Sequence, residues 1–91
     1  MNTYFYNYIV KIDKLFRKDI YQSQISNKSD TESYIQTLIY TKKDNSETKY
    51  IINIYSEFYI EITVPIKYSN YLYTTSLNNI EDVYNYLKIH I

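Results

Sequence analysis

The sequence contains no cysteine, glycine, alanine or tryptophan, and it has a single proline. Without cysteine there is no disulfide framework, thiolate nucleophile or thiolate metal ligand. Without glycine the chain lacks the backbone freedom on which phosphate-binding loops, dinucleotide-binding turns and nucleophile elbows depend. These absences exclude the commonest sequence signatures of nucleotide-binding and nucleophilic enzymes.

Length and charge predict one small domain spanning residues 1–91, with ten basic and ten acidic side chains and no net charge. This balance gives no long-range attraction to nucleic acid or to an anionic membrane. The chain has no signal-peptide pattern, and no apolar run approaches the roughly 18 residues of a membrane-spanning helix. We therefore expect a cytoplasmic protein that does not bind membranes, located in the host cytoplasm if a phage encodes it.

Fourteen tyrosines dominate what is present. Tyr, Asn, Ile and Lys all have AT-rich codons, but so does Phe, which occurs only three times. Codon bias therefore does not explain why tyrosine, which carries a hydroxyl, is so much more frequent than phenylalanine. Tyrosine suits half-buried positions in a small domain, and it also suits recognition surfaces on which one end of the ring stays wet. The composition fits both explanations.

Both ends of the chain predict amphipathic helices. In the first segment apolar side chains recur at three- and four-residue steps, at Phe5, Tyr8, Ile9, Ile12, Leu15 and Phe16. Alternation from Tyr4 to Ile12 leaves a β-strand as the alternative for this segment. The last segment has an apolar stripe of Ile80, Val83, Tyr84, Leu87 and Ile91. Asn78 precedes Glu81 there by the spacing of a capping box.

Between these segments the pattern predicts four β-strands, at 34–41, 50–55, 58–64 and 68–74. Polar residues at 21–32 predict a loop. In the turn at 42–47, Asn45 is suited to the positive φ that glycine would usually supply. Ser56 and Glu57 predict a tight reversal, and Pro65 is expected to end the strand before it or to lie where no ladder N–H donor is needed. The expected fold is α+β, a four-stranded antiparallel meander with a helix at each end of the chain, the C-terminal one packed on the sheet.

Candidate catalytic residues are few. His90 is the sole histidine and lies near the end of the sequence, which favours a structural or solvated role. Glu57, Glu61, Glu81 and Asp82 lack the histidine or third carboxylate that a metal or acid–base site needs. We therefore expect a non-enzymatic protein with no catalytic residue, no metal site and no cofactor.

A basic patch supports one binding hypothesis. Lys11, Lys14, Arg17 and Lys18 recur along the first segment, and tyrosines on the sheet would supply stacking platforms for the bases of single-stranded nucleic acid. Asp13 and Asp19 interrupt the patch, and lysine-rich outer faces of helices are common. Nucleic-acid binding is therefore the alternative rather than the preferred function.

Protein binding is the preferred function. The candidate contact residues lie on the sheet face that the helices leave open, and they are Tyr55, Tyr59, Tyr68, Tyr71 and Tyr73 with Glu57 and Glu61. In its small size, AT-rich bias, lack of a catalytic set and aromatic surface the chain resembles, in kind, phage and plasmid inhibitors of host machinery, including anti-CRISPR proteins. That resemblance implies steric occlusion of a host protein or ribonucleoprotein complex. A homodimer formed through the sheet is a further alternative.

Overall fold

The computed structural model describes residues 3–27, 36–69 and 71–91. In chain order these residues form α1 (Thr3–Leu15), β1 (Tyr21–Asn27), β2 (Gln36–Lys42), β3 (Asn45–Ser56), β4 (Tyr59–Pro65), β5 (Leu72–Leu77) and α2 (Ile80–His90). The start of the predicted strand 34–41 and the end of the predicted loop 21–32 lie outside the described residues.

The strands of the described residues form one antiparallel sheet in the order β1-β2-β3-β4-β5, so each strand pairs with the next along the chain. Leu38, Ile52 and Ile62 are cross-strand neighbours on one face, and all three are fully buried. Successive side chains of a strand point to opposite faces, so the alternate residues of each strand form the other, open face of the sheet. The α+β fold class is confirmed, with five strands in place of four.

Both helices pack on the core face of the sheet. The helix prediction for the first segment is confirmed and the strand alternative is wrong, since Phe5 and Ile12 of α1 are buried in the core. Ile80, Val83 and Leu87 of α2 enter the same core. In the stripe predicted for α2, Tyr84 is half-buried, whereas Ile91 is exposed.

An aromatic stack joins α1 to the sheet. Phe16, just after α1, stacks almost parallel on Tyr40 with ring centroids 3.9 Å apart. The Tyr40 hydroxyl donates a hydrogen bond of 2.8 Å to Asp13 Oδ1, and Lys18 Nζ lies 3.2 Å from the same carboxylate. Burial, followed by this hydrogen bond, raises the pKa of Tyr40 well above its ordinary value. The stack and the hydrogen bond fix the register of α1 against β2.

β1 is the strand that the sequence pattern missed. The loop predicted at 21–32 is wrong for Tyr21–Asn27, which pairs residue by residue with β2, from Tyr21 opposite Lys42 to Asn27 opposite Gln36. An edge strand leaves much of its side-chain surface in solvent, so its sequence needs little apolar alternation. Tyr21–Asn27 is a strand because it pairs with the buried strand β2, and not because its own residues favour a strand.

The last strand and the reversal before β4 are displaced from their predicted positions. β5 begins at Leu72 rather than at residue 68, and a 2.9 Å hydrogen bond from Ile66 N to Tyr71 O joins the residues that follow β4 and precede β5. The reversal falls at Glu57 and Phe58, so β4 begins one residue later than predicted. The prediction that Pro65 ends this strand is confirmed.

The positive φ expected at Asn45 is also wrong. Asn45 begins β3, and its side-chain oxygen accepts a 3.1 Å hydrogen bond from the backbone N–H of Glu47. Among the described residues, Tyr68 alone has a positive φ, at 65°. The residue that carries the left-handed backbone is therefore in the β4–β5 loop and is a bulky aromatic.

The cap of α2 lies one residue after the predicted position. Asn79, not Asn78, is the N-cap, and its Oδ1 accepts a 2.8 Å hydrogen bond from the backbone N–H of Asp82. Its Nδ2 donates to the Asp82 carboxylate over 2.9 Å, so residues 79 and 82 replace the predicted pair of Asn78 and Glu81. Two consecutive asparagines make the two cap positions hard to distinguish in the sequence.

Candidate protein-binding surface

The seven residues predicted as a contact surface lie at two ends of the molecule. Tyr55 and Tyr59 are on the open face, with ring centroids 5.2 Å apart in an edge-to-face arrangement. Burial, followed by the charge of Glu61 and then Tyr59, raises the pKa of Tyr55. Glu61 lies on the same face and accepts a long hydrogen bond of 3.5 Å from Asn53 Nδ2. Tyr55, Tyr59 and Glu61 therefore already contact one another or neighbouring side chains of the sheet.

Glu57 is separate from the open face, because it lies in the turn between β3 and β4 beside exposed Phe58. Tyr68 and Tyr71 lie at the opposite end of β4, in the loop before β5. Tyr73 pairs with Val64 and so points to the helix side of the sheet, not to the open face. The structure thus places Tyr68, Tyr71 and Tyr73 together, away from Tyr55, Tyr59, Glu57 and Glu61.

Exposed apolar side chains concentrate around the second group. Of the twelve large hydrophobic side chains exposed among the described residues, seven come from the β4–β5 loop, the start of β5 and the end of the chain. We call these seven the loop patch, which consists of Ile66, Tyr68, Tyr71, Leu72, Tyr73, Ile89 and Ile91. Large contiguous apolar patches on soluble domains commonly mark interaction sites.

A cleft of about 1050 Å³ opens beside the loop patch, between the β4–β5 loop and the last turn of α2. Tyr50, Tyr73 and Tyr86 contribute rings to its walls, and Lys67 and His90 contribute the basic groups. No aspartate or glutamate side chain is among the described residues that line it. The cleft therefore offers aromatic and polar contacts, with a lysine and no side-chain carboxylate among the described residues that line it.

Packing within the cleft orders its aromatic wall. His90, for which a structural or solvated role was predicted, is exposed, and its ring stacks on Tyr86 with centroids 4.2 Å apart. Burial, followed by the nearby Tyr73, raises the pKa of Tyr86. Burial followed by Tyr21 raises the pKa of Tyr50 to about 12. These tyrosines are therefore hydrogen-bonding neutral groups over the physiological pH range.

Tyr68 is the most unusual residue of the loop patch. Its side chain is 96 % exposed, and its φ of 65° lies in the left-handed region that disfavours bulky side chains. Hydrogen bonds connect its neighbours, from Ser69 N to Ile66 O (3.2 Å) and from Tyr71 N to Ser69 Oγ (3.1 Å). A strained backbone and an uncovered ring therefore occur together at Tyr68.

Two of the four cations of the predicted basic patch pair with carboxylates in α1 and the turn that follows it. Arg17 forms a two-pronged ion pair with Asp19, with contacts of 3.1 and 2.7 Å. Lys18 pairs with Asp13 at 3.2 Å, as described above. Lys11 lies over the Tyr8 ring, 4.6 Å from its centroid. Lys14 lies beside Lys11 along a shallow groove of about 440 Å³ on the same helix.

Several other tyrosines join α1 to α2 rather than forming a surface. The Tyr4 hydroxyl donates a 2.8 Å hydrogen bond to Glu81 Oε2, and this bond is the largest cause that raises the pKa of Tyr4 to about 12. The rings of Tyr8 and Tyr84 meet edge to face with centroids 5.8 Å apart. Glu81, expected to be a solvated cap charge, therefore helps to hold the helices together.

The sequence pattern did not find Ile66, Leu72, Ile89, Ile91 or the cleft residue Tyr86 as contact residues. They come from a loop, a strand end and the end of a helix, and only the fold brings them together. Each looks like an ordinary apolar position in its own segment, so no local signal would have identified the group.

Within residues 3–27, 36–69 and 71–91 no cluster of three or more histidine, aspartate or glutamate side chains is arranged to hold a metal ion. Neither of the helices described there is long and apolar enough to cross a membrane. Comparisons of the chain with models of protein families, with curated proteins and with solved structures found no match. Any function proposed for this chain therefore rests on its own geometry.

Proposed function

We propose that this protein is a non-enzymatic protein-binding module whose main contact surface is the loop patch with its adjoining cleft. The observation that carries the proposal is Tyr68, an aromatic residue at a left-handed backbone position with its ring 96 % exposed. Strained backbone positions in ordered loops are concentrated at functional sites. Neither local folding nor packing favours tyrosine here, whereas contact with a partner does.

Codon usage does not explain this residue. Asparagine tolerates the left-handed region, has AT-rich codons and occurs nine times in the chain. Asparagine at position 68 would therefore have relieved the backbone strain with a codon of the same AT-rich kind. Tyrosine offers a partner a large rigid contact area with little loss of side-chain entropy, which is why recognition surfaces use it.

The proposed mechanism is steric occlusion of a host protein or ribonucleoprotein complex, as expected for a small inhibitor carried by a phage or another mobile element and acting like an anti-CRISPR protein. A domain of this size has little room for chemistry, and its described surface offers aromatic contacts beside a cleft with no acidic side chain. A partner segment with apolar and neutral or acidic side chains fits that cleft best.

The nucleic-acid alternative receives less support from the geometry. Tyr55 and Tyr59 lie on the open face, whereas α1 and its lysines lie across the sheet on the core side. A single strand of nucleic acid would have to pass around the sheet edge to contact both groups. Ion pairs also engage Arg17 and Lys18.

The experiment compares partner capture by the wild-type protein and two single variants in nuclease-treated lysate of a low-GC bacterium that carries CRISPR and other defence systems. Tyr68→Ala removes the central ring of the loop patch, and Tyr6→Ala removes an exposed ring on α1 as the matched control. We expect one partner complex to be retained by wild type and by Tyr6→Ala, and to be lost with Tyr68→Ala. The activity of that complex should then fall when wild-type protein is added.

Two results would overturn the proposal. One is a partner retained equally by Tyr68→Ala and by wild type. The other is recovery of nucleic acid only, with loss of binding in Lys14→Glu, because that result would assign the function to α1 instead.

A further inference from the structure

Both edges of the sheet lack charge. β1 (Tyr21–Asn27) and β5 (Leu72–Leu77) contain no lysine, arginine, aspartate or glutamate, although the chain has ten basic and ten acidic side chains. Soluble proteins usually protect edge strands with charge, proline or a bulge, because an unpaired edge is a template for another strand. These two edges have no such protection of charge or proline within the strand itself.

Both edge strands are regular templates. The pairing of β5 with β4 runs without a register shift from Leu77 opposite Ile60 to Leu72 opposite Pro65, as does the pairing of β1 with β2. β5 also exposes apolar side chains on both faces. Tyr73 is 49 % exposed on the helix side, and Leu72 is 43 % exposed on the open side.

Exposed apolar surface continues from β5 onto α2. Glu81 and Tyr84 lie on the side of α2 that contacts α1. Helical spacing places Tyr86 and Ile89 on other sides of the helix, away from α1, and the Ile89 side chain is 82 % exposed. The β5 side of the molecule thus presents a regular uncharged strand beside an uncovered isoleucine.

We propose that a second copy of this chain pairs with β5 in antiparallel fashion, about a two-fold axis at Thr75, to give one continuous ten-stranded sheet from two five-stranded sheets. In this register Tyr73 lies opposite Leu77 of the second copy on the helix side, and Thr74 lies opposite its Ser76 on the open side. An aromatic ring meets an aliphatic side chain, and hydroxyl meets hydroxyl.

The alternation of side chains selects this register. Residues opposite each other in an antiparallel pair lie on the same face, so a two-fold axis must pass through a residue of β5. An axis at Thr74 would place Tyr73 opposite Thr75 and Leu72 opposite Ser76, which sets apolar side chains against hydroxyls. The axis at Thr75 matches like with like on both faces within residues 73–77, and it leaves Leu72 opposite Asn78, which lies just beyond the end of the strand.

β1 is the weaker candidate for this pairing. Its one aromatic side chain, Tyr21, is already half-buried against Phe16 and Tyr50, with ring centroids 5.2 and 6.0 Å away. The large hydrophobic side chain that β1 exposes is Ile25, whereas β5 exposes both Leu72 and Tyr73.

Pairing through β5 is compatible with the proposed function, although the two surfaces share Leu72 and Tyr73. Antiparallel pairing sets the Leu72 end of one copy beside the Leu77 end of the other, so the two β4–β5 loops lie at opposite ends of the joined strands. Tyr68 and Tyr71, which precede β5, stay outside the paired segment. A dimer would therefore keep the Tyr68 part of each loop patch accessible, one at each end.

The absence of cysteine makes disulfide trapping a direct test. In the proposed register, residue 75 of each copy lies directly opposite its equivalent, about 5 Å apart at Cα, which a disulfide bridges. Equivalent residues at position 74 lie about 8 Å apart, beyond disulfide reach. We expect Thr75→Cys to form a covalent dimer under mild oxidation, and Thr74→Cys to remain monomeric on a denaturing gel.

Gln24→Cys provides the matched control on β1, where it occupies the middle of the other edge. We expect no crosslink there. A crosslink at Gln24→Cys without one at Thr75→Cys would overturn the assignment to β5, and a crosslink at Thr74→Cys stronger than at Thr75→Cys would overturn the register.

Sedimentation of the unmodified protein provides the second measurement. We expect a mass that rises to twice the monomer mass with concentration, that is unchanged in Thr75→Ser and that stays monomeric in Thr75→Lys, where two ammonium groups would face each other. Circular dichroism establishes that each variant is folded. A folded wild-type protein that is monomeric at all concentrations would overturn the proposal, whatever partner the loop patch binds.

Discussion

Tyr40 and Tyr68 have the same side chain in opposite environments. Tyr40 is fully buried, stacks on Phe16 and donates to Asp13, so its ring and its hydroxyl both have partners within the fold. Tyr68 is almost fully exposed on a left-handed backbone. At the scale of single residues the tyrosine excess therefore has two explanations, since some rings build the core and others form surface.

Replacing Tyr68 by asparagine should stabilise the protein. Asparagine tolerates a φ of 65°, so Tyr68→Asn should raise the free energy of unfolding by about 1 kcal/mol. Urea denaturation monitored by circular dichroism measures the change. Tyr71→Asn is the control, because Tyr71 is in the same loop, is 76 % exposed and has no positive φ. A loss of stability in Tyr68→Asn that exceeds that in Tyr71→Asn would contradict the strain argument.

At the scale of elements, the start of α2 depends on one side chain. Asn79 satisfies the backbone N–H of Asp82, which has no partner within the helix because it lies in the first turn. The negative charges of Glu81 and Asp82 also favour this end of the helix dipole. The helix begins at Ile80 because Asn79, with its extended backbone, closes it there.

Asn79→Ala should therefore lower the free energy of unfolding by about 1 kcal/mol, the usual cost of losing an N-cap. Asn78→Ala, one residue earlier and exposed, should change it by less than about 0.5 kcal/mol. Thermal or urea unfolding of the two variants measures the difference. Equal losses would contradict the assignment of the cap to Asn79, and a larger loss for Asn78→Ala would place the cap where the sequence pattern predicted it.

At the scale of the whole molecule, the buried hydroxyls make stability sensitive to alkaline pH. Burial raises the pKa of Tyr40 and, to about 12, that of Tyr50. A group whose pKa is higher in the folded state contributes stability that is fully present below its unfolded pKa of about 10 and is lost as the pH rises toward the folded pKa. Unfolding therefore becomes progressively easier above pH 10.

The free energy of unfolding should fall as the pH rises from about 10 toward 12, and Tyr40→Phe should fall less steeply. Phenylalanine keeps the ring but has no proton to lose. Every other titratable side chain is the same in both proteins, so the difference between the two slopes isolates Tyr40. Urea unfolding at a series of alkaline pH values measures it, and identical slopes would rule out the buried hydroxyl as the cause.

The two helices and the central strands follow from the sequence alone. Their apolar residues repeat with the period of a helix, as Phe5 and Ile12 do in α1, or with the period of a strand, as Ile60, Ile62 and Val64 do in β4. That periodicity is local and reflects which face is buried. It was sufficient for the fold class, for the choice of helix over strand in α1, and for the end of β4 at Pro65.

Tertiary structure decided the edges and the surface. β1 is a strand because β2 lies beside it, and Tyr73 points toward the helices because its pairing with Val64 sets the face. The loop patch assembles from segments that are distant in the chain, so no window of sequence contains it. Periodicity records burial within one segment, whereas strand pairing and surface composition depend on which segments become neighbours.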